Sequence, residues 1–136
     1  MKFIIKAKGH RLISSTHETT FEVTKDNYLT EKGTCIIGIS AEYSAREFPD
    51  WLKEYLIEGN KVIIEIVVEG LRDLVIGYGS KDLRFRDDRS FVIRKSRYID
   101  DRTVVINANK AAKDIDRRII ELLKMEKELK IIFHTI

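Results

Sequence analysis

The sequence predicts a strand-rich α+β fold made of two similar halves. The halves are expected to pack as a barrel-like or two-sheet body with pseudo-two-fold symmetry. Three observations lead there. FEVTKDNYLTEKGTCII from Phe21 lies over FVIRKSRYIDDRTVVI from Phe91 when Gly33 is left out, with Phe21/Phe91, Lys25/Lys95, Tyr28/Tyr98 and Thr34/Thr103 identical. After a two-residue insertion, Gly38–Ile39, SAEYSAREF from Ser40 meets NANKAAKDI from Asn107. Finally, runs of alternating polarity, the mark of half-buried strands, recur in each half around a single helical stretch.

The elements follow in order. In FIIKAKG, Phe3, Ile5 and Ala7 point one way and Lys2, Lys6 and Lys8 the other, as on a strand. Phe21 and Val23 alternate with Glu22 and Thr24. CIIGIS from Cys35 is apolar on both parities and reads as a central strand. Pro49 suits a first helical turn and Gly59 a helix stop, so a helix is expected between them. Ser44–Ala45–Arg46–Glu47 before it fits a capping box. KVIIEIVV from Lys61 is the next strand, and Glu69–Gly70–Leu71 the turn of a hairpin. The second half offers LVIGYG from Leu74, DLRFR from Asp82, FVIRK from Phe91, TVVI from Thr103 and KIIFHT from Lys130. Its helix is expected over about 109–127, with Ala108, Ala112, Ile115, Ile119, Leu122 and Leu123 as the buried stripe. Repeat one covers about 1–68 and repeat two about 71–136. No polar linker separates them, so the halves should share one core as a single domain, 1–136. WLKEYLIEGNKVIIEI resembles the helix–glycine–strand element of duplicated double-psi barrels, although the second half has Glu126–Lys127–Glu128 in place of the glycine.

Composition excludes several classes. Cys35 is the only cysteine, so neither an intramolecular disulfide nor a four-cysteine zinc site can form, and in its apolar run the thiol reads as a small hydrophobe. No apolar run is long enough for a signal peptide or a membrane span, which predicts a soluble cytoplasmic protein. Charged residues make up 35% of the chain and glutamine is absent, a profile that suits a thermophile. The segment 81–102 carries eight basic and five acidic residues. It is a candidate nucleic-acid surface, with Phe85, Phe91 and Tyr98 as stacking groups. The interspersed Asp87, Asp88, Asp100 and Asp101 favour a solvated ion-pair surface instead.

The halves differ most between GHRLISSTHETTFE, from Gly9, and GSKDLRFRDDRSFV, from Gly79. His10 faces Ser80, His17 faces Asp87, Glu18 faces Asp88 and Glu22 faces Val92. A polar, hydroxyl-rich segment beside a strand is costly to bury unless it bonds locally or holds a ligand. Three readings stand. His10, His17 and Glu18 supply three ligands to a metal. Or His10, Ser15, Thr16, Thr19, Thr20 and Lys110 bind an anionic small molecule, with backbone N–H groups cradling it. Or the segment is turn and strand-edge structure. The cofactor, if any, is not legible in the sequence, and no Ser-His-Asp set or phosphate loop can be built; Gly77–Tyr78–Gly79–Ser80–Lys81 lacks the spacing and the helix.

The order of motifs GH, STHETTFE, LTEKGTCIIG and NANKAAKDIDRR resembles an uncharacterised archaeal family catalogued as a domain of unknown function. The resemblance covers essentially the whole chain and implies an archaeal origin, but no activity or catalytic residue. The family pattern has an acidic residue where this chain has Thr34, which argues against a metal or acid role there. The function expected from the sequence is a small binding protein with its site at 10–22. The alternatives are a hydrolase or transferase using His17 as acid/base, with Glu18 beside it and metal assistance if the metal reading holds, and a nucleic-acid binder through 81–102.

Overall fold

A computed structural model describes residues 1–136. Eight strands and two α-helices follow in the order β1 (Lys2–Lys8), β2 (Thr20–Thr24), β3 (Ile36–Gly38), α1 (Asp50–Ile57), β4 (Lys61–Val68), β5 (Leu71–Tyr78), β6 (Ser90–Arg94), β7 (Thr103–Val105), α2 (Arg117–Lys124) and β8 (Glu128–Thr135). A 3₁₀ turn precedes each helix, at Ala45–Glu47 and Ala112–Asp114. The fold is mixed α+β and strand-rich. The same series of elements, three strands, 3₁₀ turn, helix and strand, runs twice along the chain.

The strands form two four-stranded sheets, ordered β1-β8-β4-β5 and β3-β2-β6-β7, rather than a closed barrel. Between the sheets the backbone meets at one bridge on each side, Lys8 with Ile39 and Tyr78 with Ile106. The barrel and double-psi expectations fail because β3 and β7 are three residues long and slip register against β2 and β6. They cannot carry the ladder round the corner. The outer edges of β1 and β5 are covered by loops instead. Glu42 donates its backbone N–H to the Lys6 carbonyl and its carboxylate accepts the Lys6 N–H at 2.8 Å, and Asn109 does the same for Ile76.

One apolar cluster joins both sheets and both helices. Phe48, at the turn into α1, lies at its centre. Its ring centroid is 5.1 to 5.8 Å from those of Phe3, Phe85, Phe91 and Phe133. Those four rings come from β1, the 80–89 loop, β6 and β8, so one side chain ties every layer together.

Four expectations are corrected. CIIGIS is not a central strand: β3 is a short edge strand paired parallel to β2. DLRFR is not a strand, although Leu83 and Phe85 are buried as its alternation predicts. The chain turns at Ser80–Leu83, and Phe85 has a left-handed φ of 49° that no strand accepts. The second helix does not run over 109–127. Asp114 accepts the N–H of Ala111 and Asp116 that of Arg118, two separate start signals that leave a 3₁₀ turn and an eight-residue α2. The alignment gaps also move. Asp26 and Ser96 accept from Ser40 and Asn107, while Gly33 and Asp100 accept from Ile36 and Thr103. Six residues, 27–32, therefore stand where the second run has three, 97–99, and Cys35 corresponds in position to Arg102 rather than Val104. Other expectations match. α1 follows Pro49 and stops before Gly59. Glu47 accepts from both the N–H and hydroxyl of Ser44, as in a capping box. Glu69 and Gly70, with φ of 49° and 82°, form the two-residue turn between β4 and β5.

Candidate functional site

Gly9 places the segment 10–19. A β-carbon there would lie 2.1 Å from the Leu123 carbonyl oxygen, so only glycine lets the chain leave β1 against the last turn of α2. His10 follows directly. Its Nδ1 accepts the N–H of Leu12 at 3.0 Å, which leaves the proton of the neutral ring on Nε2. His17 Nδ1 accepts the N–H groups of Thr19 and Thr20, both at 3.2 Å, and lies 3.1 Å from the Thr20 hydroxyl.

The second run reproduces these turns with different chemistry. Ser80 Oγ accepts the N–H of Asp82 at 3.2 Å, as His10 does for Leu12. Asp87 Oδ2 accepts from Arg89 and Ser90 at 3.0 and 2.8 Å, as His17 does for Thr19 and Thr20. The two halves thus use different side chains for the same turn capping at both positions. What the histidines add is a free ring nitrogen.

The remaining sequence candidates do not converge. Ser15 is fully buried, and its hydroxyl donates to the Ala112 carbonyl at 2.7 Å. Arg117 fixes the same junction by donating to the carbonyls of Ser15, Ala112 and Ile115. Thr20 is buried against His17, whereas Thr16, Glu18 and Thr19 are exposed. Lys110 pairs with Asp73 on β5. No group of three His, Cys, Asp or Glu side chains is placed to hold a metal, so His10, His17 and Glu18 do not form the three-ligand set the sequence allowed. In segment 81–102, Arg84, Arg89, Arg94, Lys95 and Arg102 are all in ion pairs, which leaves Lys81, Arg86 and Arg97 of the eight basic residues. Phe85 and Phe91 are core residues, and only Tyr98 is exposed, beside Arg94.

Of these candidates His10 alone lines the largest cleft, a space of about 530 Å³ walled chiefly by Lys8, His10, Asn27, Ser40, Glu126 and Glu128. Two of these residues hold a left-handed backbone without being glycine: Ser40 at φ 51° and Glu126 at φ 64°. Glu126 directly follows the C-cap of α2. The matching residue after α1 is Gly59, at φ 86°, the ordinary occupant of such a position. The missing glycine is visible in the sequence; that the glutamate in its place lines a cleft is visible only in the fold. The matching wall on the other side would comprise Tyr78, Ser80, Arg97, Asn107, Gly59 and Lys61, and no cleft opens there.

Residues 5–136 match the family described as a domain of unknown function, DUF371. The chain belongs to the DUF371 family. An uncharacterized protein of Methanocaldococcus jannaschii is 55% identical to it over 129 residues, covering 95% of this chain and 96% of the relative.

The DUF371 chain holds a second polar cluster that sequence reasoning missed. The central register pairs of the two sheets are Glu22 with Val92 and Glu65 with Ile132. Each pairs a glutamate of the first run with an aliphatic residue at the matching place in the second. Glu22 is buried, accepts from Arg102 Nη1 at 3.0 Å and lies 3.7 Å from the Cys35 sulfur. Burial raises the Glu22 pKa above the usual carboxylate value against the pull of Arg102. The Cys35 thiol is pushed up to about 11, by burial first and then by Glu22. It is therefore protonated and unreactive at neutral pH. Arg102 and Arg94 both reach Asp100, whose carboxyl they and the Thr103 hydroxyl hold at about 2, burial working in the opposite direction. In the other sheet Glu65 pairs with Arg72 and with His134 Nε2 at 2.9 Å. The hydrogen bond from His134 is the main cause that lowers the Glu65 pKa. No helix of this DUF371 protein is long and apolar enough to cross a membrane.

Proposed function

We propose that this DUF371 chain is a small-molecule binding protein whose site is the His10 cleft. Its ligand on this reading carries an amine beside a hydrogen-bond acceptor. The observation that carries the proposal is Glu126, a glutamate held in a left-handed conformation where glycine is ordinary and one of the residues that line the cleft. Such a residue costs stability, and strained residues of this kind concentrate where a side chain is needed for binding. Glu126 and Glu128 outnumber Lys8 on the wall, which favours a cation there over a simple anion. The Nε2–H of His10 and the Lys8 ammonium are donors for an acceptor on the same ligand. The hydroxyls first expected to cradle an anion are either used internally, at Ser15 and Thr20, or lie off the cleft wall, at Thr16 and Thr19.

We further read the chain as one domain that arose by duplication of a strand-rich unit, its two runs related by a pseudo-two-fold axis. The doubled element order and the symmetric central register pairs support this. After duplication, one of the two equivalent positions would have kept or gained a cleft and its ligand.

A thermal-shift screen of ethanolamine, amino acids and sugar phosphates tests the function. Amine-bearing compounds are expected to raise the melting temperature, and the double change Glu126→Gln, Glu128→Gln to abolish the rise. Stabilisation by sugar phosphates alone, unaffected by that double change, would refute the reading.

A further inference from the structure

A second hollow is lined by residues close in sequence to those of the cleft. It has a volume of about 490 Å³ and is lined by Leu12, Leu29, Thr30, Glu31 and Lys32. The same two stretches of chain wall both spaces. The turn after Gly9 gives His10 to the polar cleft and Leu12 to the hollow, and the following loop gives Asn27 to the cleft and Leu29 to the hollow. The loop is the one that has six residues where the second run has three. Its additional length supplies the hollow's wall from 29 to 32. Both spaces are therefore walled in part by these two first-run stretches, which depart there from their second-run counterparts.

We propose that the two spaces form one trough and that the ligand is amphipathic, with its amine end at Glu126 and Glu128 and an alkyl or ring portion lying toward Leu12 and Leu29. This rests on the His10 cleft being the ligand site and adds the class of molecule it takes. Leu12 is half-buried, so an alkyl chain laid against it removes its remaining apolar surface from water, while Leu29, buried at 7% exposure, anchors the loop that forms the opposite wall. A polar end that fixes orientation beside an apolar wall that supplies affinity is the usual division of labour in small-molecule sites.

The test is an NMR titration of the full chain with 2-amino-1-alkanols of increasing length, from ethanolamine to 2-aminohexan-1-ol. Each added methylene is expected to tighten the dissociation constant about fourfold, the factor for burying one CH₂ group. Amide shifts at 10–12 and 27–32 are expected to grow along the series, and Leu12→Ser to flatten it. A series in which ethanolamine binds but length makes no difference would overturn the amphipathic ligand and leave the cleft reading standing. No binding by any member would overturn both. An affinity that rises with length while the shifts fall outside these segments would also overturn the proposal, since the chain would then be buried elsewhere.

Discussion

His17 caps a turn with an imidazole where the second run uses a carboxylate. Both accept two backbone N–H groups at the entrance to a strand. His17→Asp is therefore expected to fold with near-native stability, while His17→Ala should cost about 1 kcal/mol, the usual value of a lost cap. Urea denaturation of the two variants checks this, and equal loss in both would contradict the capping role. Glu22 gives a second prediction at this scale. Its folded-state pKa is raised, so its contribution to stability is full below the unfolded pKa and falls as pH rises through the folded value. Glu22→Gln removes that loss, and the variant is expected to melt higher than the native chain at pH 7. The difference should vanish below about pH 4, where the unfolded carboxyl is also protonated. A lower melting temperature for Glu22→Gln at pH 7 would mean that the Arg102 pair outweighs the burial.

At the level of elements, Glu126 separates stability from binding. Glu126→Gly restores the residue found after α1 and is expected to stabilise the fold by about 0.5–1 kcal/mol while weakening the ligand. A loss of stability would show that the carboxylate has a structural partner. The elements also show what the sequence made legible. α1 could be read from Pro49 and Gly59 because both limit the backbone directly. α2 was read too long because Ala108, Ala112 and Ile115 continue its apolar spacing, although all belong to a 3₁₀ turn and its flanks. Asp114 and Asp116 were the signals against a single helix, in the place where the first run has Pro49. DLRFR alternates because Leu83 and Phe85 are buried, and burial on alternate residues does not by itself make a ladder partner. The His10 to Glu22 segment drew attention for its polarity, yet most of that polarity serves caps and buried bonds. The cleft itself combines residues from four separated stretches, around Lys8–His10, Asn27, Ser40 and Glu126, which no local pattern brings together.

Across the whole molecule, the two runs share one core through Phe48. Phe48→Ala is expected to cost about 3–5 kcal/mol and to unfold both sheets in one transition. Denaturation followed by tryptophan fluorescence at Trp51 and by circular dichroism should give coincident curves. Acid should weaken the same body. Asp100, held at about 2, and Glu65, held below its ordinary value, contribute stability that is present above about pH 4 and is lost as pH falls toward their folded values. The doubled architecture also supplies an internal control for the site. A backbone amide shift map with ethanolamine is the most direct test of the claim that one of two matching positions has become a binding cleft. Shifts are expected at Lys8–His10, Asn27, Ser40 and Glu126–Glu128, and not at Tyr78–Ser80, Arg97, Asn107 and Gly59–Lys61. Equal shifts at both sets, or none at the first, would contradict it.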